Sequence, residues 1–160
     1  MALTIWQKLV AGVVVLLGLT TAVMAVDMAL ELNNYVKADV LRVDGDTIIL
    51  GAGCRAIVAD TSSERADSIR LGMQKKIEER PNTHDTFVEA FKMFNLTVDR
   101  FTLSRFDGQF YYSELLMHGP NKVLKLDVRP SDGMAIAVRA DAPMYINKTL
   151  LEQTGKDICE

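Results

Sequence analysis

The chain has 160 residues, with 18 Lys+Arg against 21 Asp+Glu and a formal net charge of -3. That length accommodates one domain once an apolar N-terminal stretch is set aside. The acidic balance excludes a basic nucleic-acid coat, so any contact with phosphates must come from a local patch or a bound cation.

Leu9 to Val26 carries no charged residue over 18 positions. This reaches the length of a membrane-spanning helix, roughly 17–25 residues. Trp6 and Lys8 precede it as interface anchors would. The rival is a cleaved signal peptide, with Val23-Met24-Ala25 offering small residues for cleavage. Apolar and helix-forming residues continue through Leu32, which favours a retained anchor over residues 1–32. The flanking charges tip the balance toward an N-terminus inside and a domain outside.

Beyond the anchor, Ala38 to Val43 and Thr47 to Leu50 alternate around Asp44-Gly45 and predict a hairpin. Cys54 to Ala59 reads as a third strand. Thr61-Ser62-Ser63-Glu64 has the form of a capping box. The helix it opens is expected to bury Ala66, Ile69, Met73 and Ile77 and to solvate Arg65, Arg70, Lys75 and Lys76. A helix from Thr83 to Phe94 is expected to bury Phe87, Val88, Phe91 and Phe94. Strands follow at Thr97 to Ser104 and Gln109 to Met117, joined at Asp107-Gly108. Tyr111 and Tyr112 then point to opposite faces, one core and one exposed. After the strand Val123 to Val128 come a short helix limited by Pro143, a strand at Met144 to Ile146 and a last helix, Leu150 to Thr154. Cys54 and Cys159 lack metal-knuckle spacing and read as two unrelated thiols. A disulfide between them would require an oxidising compartment.

Two corners share one chemistry. Arg80-Pro81-Asn82-Thr83-His84-Asp85 and Arg129-Pro130-Ser131-Asp132 each set Arg-Pro before a hydroxyl cap and an acid in the first helical turn. Helix starts of this kind accept anions readily.

These two segments, the hairpin Asp107-Gly108-Gln109-Phe110-Tyr111, and the run Ala135-Ile136-Ala137 followed by Ala142-Pro143-Met144-Tyr145-Ile146 occur in that order. Together with Glu64-Arg65-Ala66 they resemble the bifunctional nuclease domain over about Val40 to Leu151. The resemblance implies an α+β domain (residues 38–155) with one mixed or antiparallel sheet and three to four helices. By the family's name it implies hydrolysis of DNA and RNA. The chain departs from the family pattern at Gly133, where alanine is usual, and at Arg65, which separates Glu64 from Ala66.

Phosphodiester hydrolysis needs an activated water, stabilised phosphoryl charge and a protonated or metal-bound leaving oxygen. Asp85, Asp132 and Glu64 are the candidate carboxylates, with Asp85 and Asp132 as ligands of Mg²⁺ or Mn²⁺. His84 is the candidate general base or acid. Arg80, Arg129, Thr83 and Ser131 would hold phosphate. The partners expected are DNA or RNA, the membrane through the N-terminal helix, and a second copy of the chain. A non-catalytic binding or regulatory module and a site for an anionic metabolite are the alternative classes.

Overall fold

Side chains that alternate between apolar and polar set the sheet in this protein, whose computed structural model describes residues 13–14 and 32–159. Residues Tyr35–Glu160 form one compact unit. The expected anchor lies outside the described residues apart from Val13 and Val14. Among the described residues no helix is long and apolar enough to cross a membrane.

Eight strands make one mixed sheet: β1 (Tyr35–Asp44), β2 (Thr47–Ala52), β3 (Arg55–Asp60), β4 (Thr97–Phe106), β5 (Tyr111–Gly119), β6 (Lys122–Val128), β7 (Met144–Asn147) and β8 (Lys156–Asp157). Their spatial order is β6-β5-β4-β7-β1-β2-β3-β8. Among the described residues every strand pairing is antiparallel except β4 with β7. Period-two geometry sends Ala38 and Val40 of β1, Ile48 and Leu50 of β2, and Leu115 and Met117 of β5 into the core. Four helices complete the domain: α1 (Ser63–Met73), α2 (Thr83–Met93), α3 (Pro130–Ala140) and α4 (Lys148–Thr154). Helix α3 packs on β4 and β5, while α1 and α2 pack against α3. The α+β architecture thus agrees with the expectation.

Several local expectations are corrected. Helix α1 starts at an N-cap, Ser62, whose side chain makes no capping bond, so Thr61 to Glu64 is not a closed capping box. It ends at Met73, leaving Met73 and Ile77 exposed. On α2 only Val88 and Phe91 are buried; Phe87 is 47 % and Phe94 75 % exposed. The helix is one-sided, and among the described residues no second layer covers its outer face. Helix α3 takes Arg129 as N-cap and Pro130 in its first turn, where the missing N–H costs nothing. Ser131 is therefore inside the helix and buried rather than capping it. Tyr111 and Tyr112 are both half-buried. The first stacks on Phe106 with centroids 4.5 Å apart, and the second lies 3.4 Å beneath the Arg105 guanidinium. Asp107 closes that hairpin tip: it accepts from the Phe110 and Gln109 N–H groups and the Tyr112 hydroxyl, which hold its carboxyl down to about 2.

The cysteines are also corrected: Cys54 and Cys159 form a disulfide across 105 residues of sequence. The pairing is prepared by the sheet. Strand β8 pairs with β3 through Arg55 and Asp157, and the Ile158 N–H donates to the Cys54 carbonyl.

Gly133 shows why the usual alanine is absent. A Cβ there would lie 2.6 and 2.7 Å from the Phe101 ring and 2.9 Å from Val128 Cγ2. Phe101 is wholly buried in β4 and has nowhere to turn. The small helix-propensity cost of glycine, about 1 kcal/mol, is outweighed by the close approach of α3 to the sheet. Gly133→Ala is therefore expected to destabilise the protein by about 1–3 kcal/mol in urea unfolding. A stabilised variant would contradict this packing.

Candidate active site

The two Arg-Pro corners meet at an open cleft of about 1170 Å³ between α1 and the starts of α2 and α3. The site is built from a helix cap outward. Asn82, not Thr83, caps α2: its Oδ1 accepts from the His84 and Asp85 N–H groups, while Asp85 Oδ2 accepts from the Asn82 N–H. This capping box satisfies orphan donors reciprocally. With Oδ1 committed to the helix, Nδ2 of the amide must point away, and it donates to Ser68 Oγ at 3.2 Å.

Ser68 Oγ stands 2.8 Å from His84 Nδ1, and His84 Nε2 stands 3.4 Å from Asp132 Oδ1. A carboxylate can only accept, so the imidazole proton resides on Nε2 facing Asp132. Nδ1 is then an acceptor and the Ser68 hydroxyl gives it its proton. That tautomer orders the donors as Asn82 to Ser68, Ser68 to His84 and His84 to Asp132. The last contact is longer than a strong hydrogen bond. Burial lowers the His84 imidazole below its ordinary 6.5, against the raising influence of Asp132, so the ring is neutral near pH 7.

Asp132 sits at a cationic crossing. Arg129 Nε donates to its Oδ2 at 2.7 Å, and Arg65 Nε lies 3.9 Å from its Oδ1. Its side chain is 22 % exposed, so these pairs face water and contribute modestly to stability.

Asp85 has a different fate. Arg139 Nε donates to its Oδ1 at 2.6 Å, and both side chains are only 7 % exposed. Arg139 Nη1 also donates to the Ser68 and Ala135 carbonyls, which joins α1, α2 and α3. Burial by itself would raise the Asp85 carboxyl. The Arg139 bond and the Asn82 N–H more than offset it and leave the group below its ordinary 3.8. Both oxygens are engaged and Asp85 does not line the cleft, so the reading of Asp85 as a metal ligand or reacting group gives way to a structural one. Among the described residues no three His, Cys, Asp or Glu side chains gather as a metal set. Asp132, the other expected ligand, faces Arg129 and Arg65. The donor set does not compose a divalent-metal site.

Of the remaining expected residues, Glu64, Thr83 and Arg129 line the cleft, whereas Arg80 and Ser131 do not. Arg80 is exposed on the loop before α2, and Ser131 is buried in α3. Sequence reasoning missed Ser68, Asn82 and Arg139. The signal for Ser68 was a polar residue beside Ile69 on the inward side of α1. Arg139 follows Ala135 by one helical turn and so shares its buried face.

Residues 56–158 match the family described as the bifunctional nuclease domain. Two uncharacterized proteins of Mycobacterium tuberculosis, from strains CDC 1551 and H37Rv, are each 28% identical over 90 residues. The match covers 56% of this chain and 53% of each relative, so the chain spans about half the length of these relatives.

Two measurements check this electrostatic division. Breaking the buried pair with Asp85→Asn should cost about 3–5 kcal/mol, because a buried guanidinium loses its charged partner. Asp132→Asn should cost under about 1 kcal/mol. Equal losses in denaturant unfolding would contradict the separation of roles. His84 should titrate below 6.5 in an NMR pH series. Because its folded value is lowered, the unfolded chain binds more protons just below 6.5. Its contribution to stability is then full above 6.5 and declines as pH falls through the folded value. A midpoint above 6.5 would contradict the buried neutral ring.

Proposed function

The chain belongs to the bifunctional nuclease domain family, and from that premise we propose that its cleft binds DNA or RNA and hydrolyses their phosphodiester bonds. The observation that carries this reading is an imidazole in a cleft, bonded on one side to a hydroxyl and facing on the other a carboxylate flanked by two arginines. His84 Nδ1 is the acceptor that takes a proton from the attacking group. Asp132 holds the ring and stabilises the imidazolium that forms. Arg129 and Arg65 lie where they can transfer from Asp132 to phosphoryl oxygens, with Arg129 the more exposed of the two.

The cleft lining carries Arg65, Arg70 and Arg129 against Glu64, Asp67, Glu78, Asp127 and Asp132. A polyanion is therefore not drawn in by net charge, and few phosphates are neutralised. The same acid-rich lining supports a second reading, a binding or regulatory module without turnover.

The Cys54–Cys159 disulfide supports an oxidising compartment for the domain. With Leu9 to Val26 as a retained anchor, the domain would stand outside the cytoplasm and meet nucleic acid there.

The full chain should cleave labelled DNA and RNA oligonucleotides in assays run with Mg²⁺, with Mn²⁺ and with EDTA. His84→Gln and Asp132→Asn should each lower turnover about 10²-fold or more while the fold persists. Unchanged turnover in both variants would sink this site. The affinity should fall with salt at a log–log slope of only about -1 to -2, the mark of one or two phosphate contacts. For location, the chain should remain with membranes through carbonate extraction, and its cysteines should resist a membrane-impermeant thiol reagent on unreduced cells. Free thiols in freshly isolated protein would contradict the compartment.

A further inference from the structure

Among the residues that line the cleft, Ser68 touches His84 directly and has no part in the acid–base step. Ser68 lies in the middle of α1, is 5 % exposed and lines the cleft. A serine inside a helix ordinarily turns its hydroxyl outward or onto the carbonyl four residues back. Ser68 instead directs its hydroxyl at His84 Nδ1, 2.8 Å away, and receives the Asn82 amide on the same oxygen. Its backbone carbonyl is held by Arg139 Nη1 at 2.8 Å, so the residue is fixed from both ends. A hydroxyl within reach of a base, with the base facing a carboxylate, is the arrangement by which weak nucleophiles are activated. The imidazole is used in the reverse sense from the usual serine triad: Nδ1 meets the hydroxyl and Nε2 the carboxylate.

We propose that Ser68 is a nucleophile, with His84 as its base and Asp132 as the positioning residue for His84. The substrate, a phosphodiester, rests on the nuclease reading above; the reactivity of the hydroxyl does not. In the first step a bond forms between Ser68 Oγ and phosphorus, and the bond from phosphorus to the leaving nucleoside oxygen breaks. The hydroxyl proton passes to His84 Nδ1 and then to the leaving oxygen, which departs as an alcohol. In the second step water attacks phosphorus and gives its proton to His84 Nδ1. The bond from phosphorus to Oγ breaks, and the proton returns to Ser68. One water is consumed, and one phosphodiester becomes an alcohol and a phosphomonoester.

The test uses the full chain and a fluorophosphonate, an electrophile that needs no nucleic-acid site. Mass spectrometry should find the adduct on the peptide containing Ser68 in the wild type, and labelling should slow about 100-fold or more in His84→Gln. Ser68→Cys keeps the side-chain size and, with both native cysteines in the disulfide, supplies one free thiol. Iodoacetamide should alkylate it in the folded protein. A folded wild type that carries no adduct on Ser68 overturns the proposal, and so does Ser68→Ala with nuclease turnover within twofold of wild type. The two readings fail separately. Labelled Ser68 without cleavage of DNA or RNA removes the nuclease reading and upholds the nucleophile. Cleavage that survives Ser68→Ala removes the nucleophile and leaves water as the attacking group.

Discussion

A buried guanidinium holds together the three helices that line the cleft. Arg139 sits near the end of α3, gives Nε to Asp85 of α2 and Nη1 to the Ser68 carbonyl of α1. A cation in that position would be costly without a charged partner, so Asp85 is bound to it. The approach of the helices is made possible by Gly72, where a Cβ would strike Val138 and Arg139 Nη1 at 2.5 and 2.7 Å. Because Asp85 is spent on Arg139 and on the capping box, Asp132 is the carboxylate that faces His84 in the cleft. One acid builds the corner and the other is left facing the imidazole in the cleft.

From this constraint the proton order follows. The capping box orients the Asn82 amide, the amide presents its N–H to Ser68, and Asp132 settles the tautomer of His84. The hydrogen bonds that begin α2 thus determine which nitrogen of the imidazole can take a proton. The same bonds that start α2 hold the side chains of the cleft in place, so the cleft is built on helices rather than on a flexible loop.

Much of the strand pattern was legible because alternation and Asp-Gly turns are local signals. The sheet order was not, since the parallel pairing of β4 with β7 depends on α3 crossing over β5 and β4. The convergence of the corners could be suspected from their repetition, but the division of labour between Asp85 and Asp132 could not. It depends on Arg139, which lies 54 residues from Asp85. The exposure of Phe87 and Phe94 was misjudged because an amphipathic pattern shows which residues are apolar, not how many layers cover them. The disulfide was missed because Cys54 and Cys159 become neighbours only when β8 joins β3.

The central claim is that His84 carries its proton on Nε2 and offers Nδ1 to Ser68. A long-range proton–nitrogen correlation spectrum of isotope-labelled protein, taken above pH 7, reads this directly. The account predicts a protonated Nε2 and an unprotonated, hydrogen-bonded Nδ1 for His84, distinct from the exposed His118. A protonated Nδ1 with a free Nε2 would contradict it.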